Sequence, residues 1–239
     1  MNPEEFETAL EKKGIKLDER QLEQYQIYYD YLIEVNQVMD LTNIVEKNEV
    51  YLKHFFDSLT LAWAYPALQT EPLKLVDVGA GAGFPSLPLK IAFPQLEIVI
   101  VDSLQKRINF LNQLIEKLDL TGVQPIHERA EVFGDKNAPT RETFDVATAR
   151  ALKAMPMLVE MTLPLVKRGG VLLAMKGSRA AEEIQDAKVA IPTVGGVVED
   201  QIKVDLPNGD AREIVVIKKV KKTPAKYPRK FSDIKNKTL

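Results

Sequence analysis

The sequence predicts an α/β fold built on a doubly wound parallel sheet with helices on both faces. Two observations lead to this prediction. From residue 73 onward, short apolar runs alternate with stretches of helical periodicity, the βαβα pattern of parallel sheets that are covered on both sides. Nearer the C-terminus, two apolar stretches flank Pro207-Asn208-Gly209-Asp210, and Asn-Gly is a strong β-hairpin signal. We therefore expect five parallel strands followed by an antiparallel pair.

Residues 1–66 are predicted to form a helical N-terminal extension. Asn2 and Glu5 match a capping box at the start of a first helix. Asp18 should cap a second helix, in which apolar residues recur every three or four positions. A third helical segment runs from about residue 48 to residue 65, and prolines then bound a linker over residues 66–72.

The core, residues 67–222, contains the alternating elements, and residues 223–239 form a basic tail. Parallel strands are predicted at Leu73–Val78, Glu97–Val101, Gly122–Ile126, Phe144–Ala149 and Val171–Met175. The helices between them are predicted at Pro85–Phe93, Leu104–Leu118, Met155–Val166 and Ser178–Ala190. The hairpin strands are predicted at Val198–Leu206 and Ala211–Val220.

Composition removes several classes of protein from consideration. The chain has no cysteine, which excludes disulfides, thiolate–metal sites and cysteine nucleophiles. Its two histidines lie outside any ligand cluster, so we predict no metal. No apolar run approaches the roughly 18–20 residues of a membrane span, and the acidic N-terminus is unlike a signal peptide. We expect a cytoplasmic protein with no membrane association, and a monomer.

The sharpest local signal is a glycine-rich loop. Gly79, Gly81 and Gly83 follow Asp77 at the point where the first strand should pass into the first helix. Glycines there permit a tight turn and let a ligand approach the backbone. This position is the carboxyl edge of the sheet, where doubly wound folds bind their ligands.

The residues around these glycines narrow the choice of ligand. A dinucleotide fingerprint needs glycine or alanine at its third position, which Phe84 occupies, and no Gly-Lys-Ser/Thr follows to form a P-loop. Asp77 is a poor neighbour for a pyrophosphate and suits the ammonium or sulfonium side of S-adenosylmethionine better. We therefore predict S-adenosylmethionine as cofactor; a glycine-rich turn with no ligand is the alternative.

Asp102 ends the second predicted strand, 25 residues after Asp77. A carboxylate there can accept hydrogen bonds from both ribose hydroxyls of an adenosyl group. Proteins that bind NAD also bind the ribose with a carboxylate at this position, so Asp102 indicates an adenosyl ribose without identifying the cofactor. A nicotinamide-dependent oxidoreductase therefore stays open as an alternative.

The sequence also restricts which atom is methylated. Without cysteine, the nucleophilic route to pyrimidine C5 is closed. The segment after the fourth strand lacks the Asn/Asp-Pro-Pro-aromatic loop common in amine methylation. A purine ring nitrogen remains favoured, because its free lone pair lets positioning and electrostatics account for catalysis. Arg150, at the end of that strand, should contact substrate or cofactor; a salt bridge to Asp145 or Glu131 is the alternative.

Taken together, segments along nearly the whole chain resemble the RsmG family of bacterial 16S rRNA guanine-N7 methyltransferases, also called the glucose-inhibited division protein B family. The segments that carry the resemblance are Asp40-Leu41-Thr42-Asn43, His54-Phe55-Phe56-Asp57-Ser58-Leu59, Asp77 to Pro85, Asp102-Ser103, Lys106-Arg107, Arg129-Ala130-Glu131, Arg150-Ala151, Lys176-Gly177 and Tyr227-Pro228-Arg229. The glycine motif alone indicates only the superfamily, whereas the combination is specific.

This resemblance implies a class I S-adenosylmethionine-dependent methyltransferase that methylates N7 of guanosine 527 in 16S rRNA, with mild streptomycin resistance on its loss. It implies that the cofactor pocket is lined by Gly79, Phe84, Ala130, Glu131 and Arg150, with Asp102 and Ser103 near the ribose. An RNA-binding protein of this fold that lacks activity is the second alternative. Two departures stand out: Ser86 replaces the family's usual glycine, and residues 231–239 differ from the usual ending.

Candidate catalytic residues are Arg150, Lys176 and His54, and none is assigned as a general base. A structural hydrogen-bonding role is the alternative for His54, and a solvated strand-end lysine is the alternative for Lys176. Residues 218–239 carry nine basic residues and one acid. We expect this tail to hold 16S rRNA, free or in the small ribosomal subunit, with Tyr227 and Phe231 stacking on unpaired bases. A solvated, partly disordered terminus is the alternative.

Overall fold

The structure is a computed structural model that describes residues 1–150 and 154–239. Its strands are β1 (Lys74–Val78), β2 (Glu97–Asp102), β3 (Val123–His127), β4 (Phe144–Thr148), β5 (Val166–Lys176), β6 (Gly196–Asp205) and β7 (Ala211–Lys219). Its helices are α1 (Pro3–Glu11), α2 (Glu19–Asn36), α3 (Lys47–Val50), α4 (Asp57–Ala64), α5 (Ala67–Thr70), α6 (Ser86–Ala92), α7 (Gln105–Lys117), α8 (Ala130–Phe133), α9 (Met155–Thr162), α10 (Ala180–Asp186), α11 (Ala190–Thr193) and α12 (Phe231–Asn236). A π-helical segment, Tyr51–Phe56, joins α3 to α4.

The strands form a single sheet in the order β3-β2-β1-β4-β5-β7-β6. Strands β1 to β5 are parallel, and β7 runs antiparallel to both β5 and β6. The prediction of five parallel strands and a terminal hairpin is therefore confirmed. This order differs from the 3-2-1-4-5-6 arrangement of dinucleotide-binding sheets, because β7 lies between β5 and β6.

Both faces of the sheet are buried, as the apolar strands predict. Leu75 and Ile100 belong to the apolar cluster on one face, while their neighbours Val76 and Val101 belong to the cluster on the other face. The alternation follows from the period of two residues in a strand. Because both faces are covered, access to the sheet is left at the strand ends.

The N-terminal extension covers one of these faces. Asn2 and Asp18 cap α1 and α2, as predicted, and the capping box expected at Asn2 is matched by a second one at Asp18. Phe6, Tyr25 and Phe55 are fully buried in the same cluster as Leu75. The extension is therefore continuous with the hydrophobic core of the sheet, and the domain boundaries at residues 66 and 222 stay predictions.

Several elements differ from the sequence prediction. The linker after Pro66 contains α5, whose Leu68 is buried. Helix α9 ends at Thr162, because Pro164 has no N–H to continue it, and β5 begins earlier than predicted, at Val166. The tail is ordered on the opposite face, where Tyr227 and Ile234 are buried. The alternative of a solvated, partly disordered tail is therefore wrong.

Within residues 1–150 and 154–239, no helix is both long enough and apolar enough to cross a membrane.

Candidate active site

The glycine-rich loop leaves β1 at the carboxyl edge of the sheet. Gly79, Gly81 and Gly83 have φ angles of +72°, +61° and +97°, a conformation that favours glycine. A Cβ at Gly81 would meet nothing within 4 Å, whereas a Cβ at Gly83 would lie 2.6 Å from Leu87 Cδ1 and 2.7 Å from the Tyr28 hydroxyl. Gly81 therefore leaves open space beside the backbone, while Gly83 permits close packing.

Asp77 lies beneath this loop and is fully buried. Its Oδ2 accepts a hydrogen bond from the backbone N–H of Ser86 at 3.2 Å, and its Oδ1 has no hydrogen-bond partner among the described residues. Burial raises the pKa of Asp77 to about 7, against weaker opposing effects from Ser86 and Arg150. A buried carboxylate with an open acceptor favours a cationic or hydrogen-bond-donating ligand.

A cavity of about 420 Å³ opens next to the loop, between the ends of β1, β2 and β3. It is lined by Val78, Gly79, Val101, Asp102, Ser103, Leu104, Arg107, Glu128, Arg129, Ala130, Glu131, Met161 and Phe231. Asp102 is 3% exposed, and its carboxylate accepts hydrogen bonds from Leu104 N at 2.9 Å and Arg107 Nη1 at 3.3 Å. These contacts fix the carboxylate at the cavity wall.

An aromatic stack supports the loop from the side of the N-terminal extension. The ring of Phe84 lies parallel to Tyr28, with centroids 5.3 Å apart, and nearly parallel to His54, with centroids 4.4 Å apart. The Tyr28 hydroxyl donates to the carbonyl of Ala82 at 2.5 Å. The guanidinium carbon of Arg150 lies 5.5 Å from the Phe84 ring centroid, within cation–π range.

His54 orients Arg150. Arg150 Nη2 donates to His54 Nδ1 at 2.8 Å and to the carbonyl of Lys53 at 3.2 Å. Because a guanidinium only donates, His54 Nδ1 must accept, and the proton therefore lies on Nε2, 2.8 Å from Thr42 Oγ1. Burial, together with the charge of Arg150, lowers the pKa of His54 to about 3. The imidazole is thus neutral near pH 7 and acts as a fixed acceptor.

A second pocket, of about 290 Å³, lies beside Arg150 and the end of β5. It is lined by Asp57, Arg150, Met175, Lys176, Gly177, Arg179, Glu183 and Arg212. Arg212 Nε donates to the buried Asp57 at 2.6 Å, and Lys176 Nζ lies 2.6 Å from Glu183. Arg150 Nη1 is buried and has no hydrogen-bond partner among the described residues. The wall of the pocket therefore carries more basic than acidic side chains.

The predicted site residues fall into two groups. Gly79, Asp102, Ser103, Ala130 and Glu131 all line the 420 Å³ cavity. The others lie outside its wall: Asp77, Gly81, Gly83 and Phe84 belong to the loop and its support, and Arg150 and Lys176 line the second pocket.

Several sequence-based alternatives are wrong. Lys176 is 7% exposed and ion-paired, not a solvated lysine. Arg150 donates to His54 and to the Lys53 carbonyl, whereas Asp145 pairs with Lys167 and Glu131 with Arg129. Among the described residues, neither salt bridge suggested for Arg150 is therefore formed. Tyr227 is 7% exposed, so its ring is not presented for stacking on RNA bases. Ala151 of the Arg150-Ala151 motif lies outside the described residues.

Eight residues of the cavity wall are not among the predicted site residues, and Leu104, Met161 and Phe231 are the large apolar side chains that come from outside the strands. Met161 gave no signal, because α9 is mostly apolar and seven of its eight residues are buried. Leu104 is a single exposed apolar residue next to Asp102, and Phe231 was assigned to RNA contact. Likewise, nothing in the sequence links Arg212 of β7 to Asp57, 155 residues earlier. Within the described part of the chain, no group of three or more His, Asp or Glu residues is arranged to hold a metal ion.

Comparison with known proteins gives consistent matches. Residues 21–213 match the family model GidB, rRNA small subunit methyltransferase G. The ribosomal RNA small subunit methyltransferase G of Limosilactobacillus reuteri is 54% identical over 231 residues, which cover 96% of both chains. The corresponding Bacillus cereus protein is 53% identical and is covered to 95%.

Solved structures share the fold at low sequence identity. A SAM-dependent methyltransferase from Aquifex aeolicus matches with a TM-score of 0.53 and 17% identity, over 73% of this chain and 94% of that one. TYW2 of M. jannaschii, solved in complex with AdoMet, matches with a TM-score of 0.50 and 14% identity, over 69% and 77% of the two chains. The predicted methyltransferase-type fold is thus confirmed.

Proposed function

Because the chain belongs to the rRNA small subunit methyltransferase G family, we propose that it methylates 16S rRNA with S-adenosylmethionine, at N7 of guanosine 527. The observation that carries the proposal is the 420 Å³ cavity that joins the glycine-rich loop to Asp102 at the carboxyl edge of the sheet. We further propose that the protein works in the cytoplasm, where the rRNA is, and that its loss gives mild streptomycin resistance.

The residues around the cavity suit S-adenosylmethionine. The unpaired Oδ1 of Asp77 and the space beside Gly81 suit its cationic methionine end. Asp102 and Ser103 suit the ribose hydroxyls, since a carboxylate accepts both hydrogen bonds. Ala130 and Glu131, which follow β3, would bound the adenine. When bound, the cofactor supplies an electrophilic methyl group.

The protein's own residues act by positioning. Guanine N7 carries a free lone pair, so no proton has to be removed before attack, and no general base is required. His54 is neutral and holds Arg150 in place. Arg150 lines the second pocket, where a guanidinium can bind a base edge or a phosphate.

Basic side chains would hold the rRNA around this second pocket. Arg179 is exposed on its wall, and six lysines between residue 221 and the C-terminus are also exposed: Lys221, Lys222, Lys226, Lys230, Lys235 and Lys237. Lysine and arginine neutralise phosphates and release counterions, so this contribution is independent of base sequence. The second pocket would therefore receive the target nucleotide while the lysines bind the backbone.

The proposal is tested by incubating the purified protein with labelled S-adenosylmethionine and small subunits from a strain that lacks the methyltransferase. We expect one methyl group per particle, located by mass spectrometry at N7 of guanosine 527. The Asp102→Ala variant should bind the cofactor more weakly. Label at a different nucleotide would contradict the proposed target. A protein that binds rRNA without transferring label would favour the inactive RNA-binding alternative.

A further inference from the structure

Phe231, the first residue of α12, contributes an aromatic ring to the wall of the 420 Å³ cavity. The ring is 37% exposed. Among the described residues of the cavity wall, Leu104 at 41% is the other large apolar side chain with comparable exposure. An apolar surface left open inside a cavity favours a flat, apolar ligand face.

The tail holds Phe231 in place through buried contacts on both sides of it. Arg229 donates to Glu160 of α9 through two guanidinium nitrogens, Nε at 2.8 Å and Nη2 at 2.6 Å, and through its backbone N–H at 3.0 Å. Glu160 is fully buried. On the other side, Ile234 is fully buried in the core. The backbone at Phe231 is therefore held at the cavity by its neighbours on both sides.

The strand order indicates which end of the cofactor meets this ring. The glycine-rich loop follows β1, Asp102 ends β2, and Glu131 follows β3, and these strands are adjacent in the order β3-β2-β1. The backbone N–H of Phe231 donates to Glu131 Oε1 at 3.4 Å, which places the tail at the β3 side. A ligand whose methionine end lies at β1 and whose ribose lies at β2 has its base at β3.

We propose that Phe231 stacks on the adenine of S-adenosylmethionine, so that the C-terminal tail is part of the cofactor site. The proposal rests on the proposed function, which places the cofactor in this cavity. It also gives a role to a segment in which this chain departs from the family's usual ending. The ring sets affinity for the base, while Asp102 binds the ribose.

Calorimetric titration of the full-length protein with S-adenosylhomocysteine tests the proposal. Phe231→Ala should weaken binding about tenfold, because aromatic stacking is lost. Phe231→Tyr keeps the ring and should bind within about twofold of wild type. Asn236→Ala, an exposed position on the same helix, is the matched control and should bind as wild type. The Phe231→Ala substitution should lower the affinity for adenosine by the same factor as the affinity for S-adenosylhomocysteine, since the contact is with the base.

Hydrogen exchange on the wild-type protein gives a second test that needs no variant. Saturating S-adenosylhomocysteine should slow exchange of the amides of α12. If Phe231→Ala binds normally and α12 gains no protection, while Asp102→Ala weakens binding, the role of Phe231 is overturned and the cofactor site stands. If Asp102→Ala also binds as wild type, the site itself is misplaced.

Discussion

Asp77 shows how a single buried residue can serve binding at a cost in stability. Its pKa is raised to about 7 by burial, so the folded protein holds this proton more tightly than the unfolded chain does. The free energy of unfolding should therefore fall as pH rises from about 4 to about 7, and level off above that. Such a penalty is expected where a carboxylate is held ready for a cationic ligand.

Asp77→Asn should remove this penalty. We expect the Tm of the variant, relative to wild type, to be higher at about pH 8 than at about pH 5, while its cofactor affinity falls because the negative charge is gone. Thermal melts and calorimetry at both pH values measure the two effects. Asp186→Asn, at an exposed aspartate of α10, is the control and should show neither. An equal Tm difference at the two pH values would contradict this account.

His54 should keep a constant charge through the physiological range. With its pKa lowered to about 3, the ring is neutral from about pH 5 to pH 8. The NMR signals of the His54 ring, assigned by their loss in His54→Gln, should therefore not shift over that range. A titration midpoint above pH 5 would show that His54 becomes protonated, and that it does not act only as the fixed acceptor for Arg150.

Within the glycine-rich loop, one glycine leaves space for a ligand and another is needed for packing. Gly81→Ala places a methyl group in open space at φ +61°, at a cost of about 1–2 kcal/mol, and should abolish close approach of the cofactor. Gly83→Ala adds clashes with Leu87 and Tyr28, and should cost about 3 kcal/mol or more. Chemical denaturation measures the stability of both variants, and titration with the cofactor measures their affinity for it. Unchanged cofactor affinity in Gly81→Ala would refute the assignment of the open space to the ligand.

Sequence patterns predicted most elements because their signals are local. Capping boxes at Asn2 and Asp18, alternating glycines after β1 and an Asn-Gly turn each specify a structure within a few residues. The insertion of β7 between β5 and β6 has no such signal, since it depends on pairing between distant strands. The early start of β5 was missed because its first residues, Val166 to Gly170, are only partly apolar.

The basic residues near the C-terminus are of two kinds: some are ion-paired with the core, and others are exposed to solvent. Arg229 is bound to Glu160 and fastens the tail to the core, just as Lys219, at the end of β7, is bound to Glu142. Lys226, Lys235 and Lys237, in contrast, are exposed. Composition predicted the charge of the tail but not this division, because burial depends on tertiary contacts. Likewise, the sequence predicted the cavity residues on the strand ends, but not the one contributed by the tail.

The exposed lysines should govern the salt dependence of RNA binding. Changing Lys226, Lys235 and Lys237 to glutamine should weaken binding to a 16S rRNA fragment and reduce the slope of log K against log salt by about two to three. Cofactor affinity should not change. Changing Lys12, Lys13 and Lys16 in the N-terminal extension is the matched control. Equal slopes for wild type and the tail variant would place the RNA elsewhere.

The pairing of Arg150 with His54 and of Arg212 with Asp57 has a consequence for protein engineering. The two arginines belong to the end of β4 and to β7, while their partners come from the π-helical segment and the start of α4. A minimal catalytic fragment trimmed to residues 67–239 would leave both guanidinium groups without these partners. Chimeras between relatives should therefore exchange the helices and the sheet as one unit.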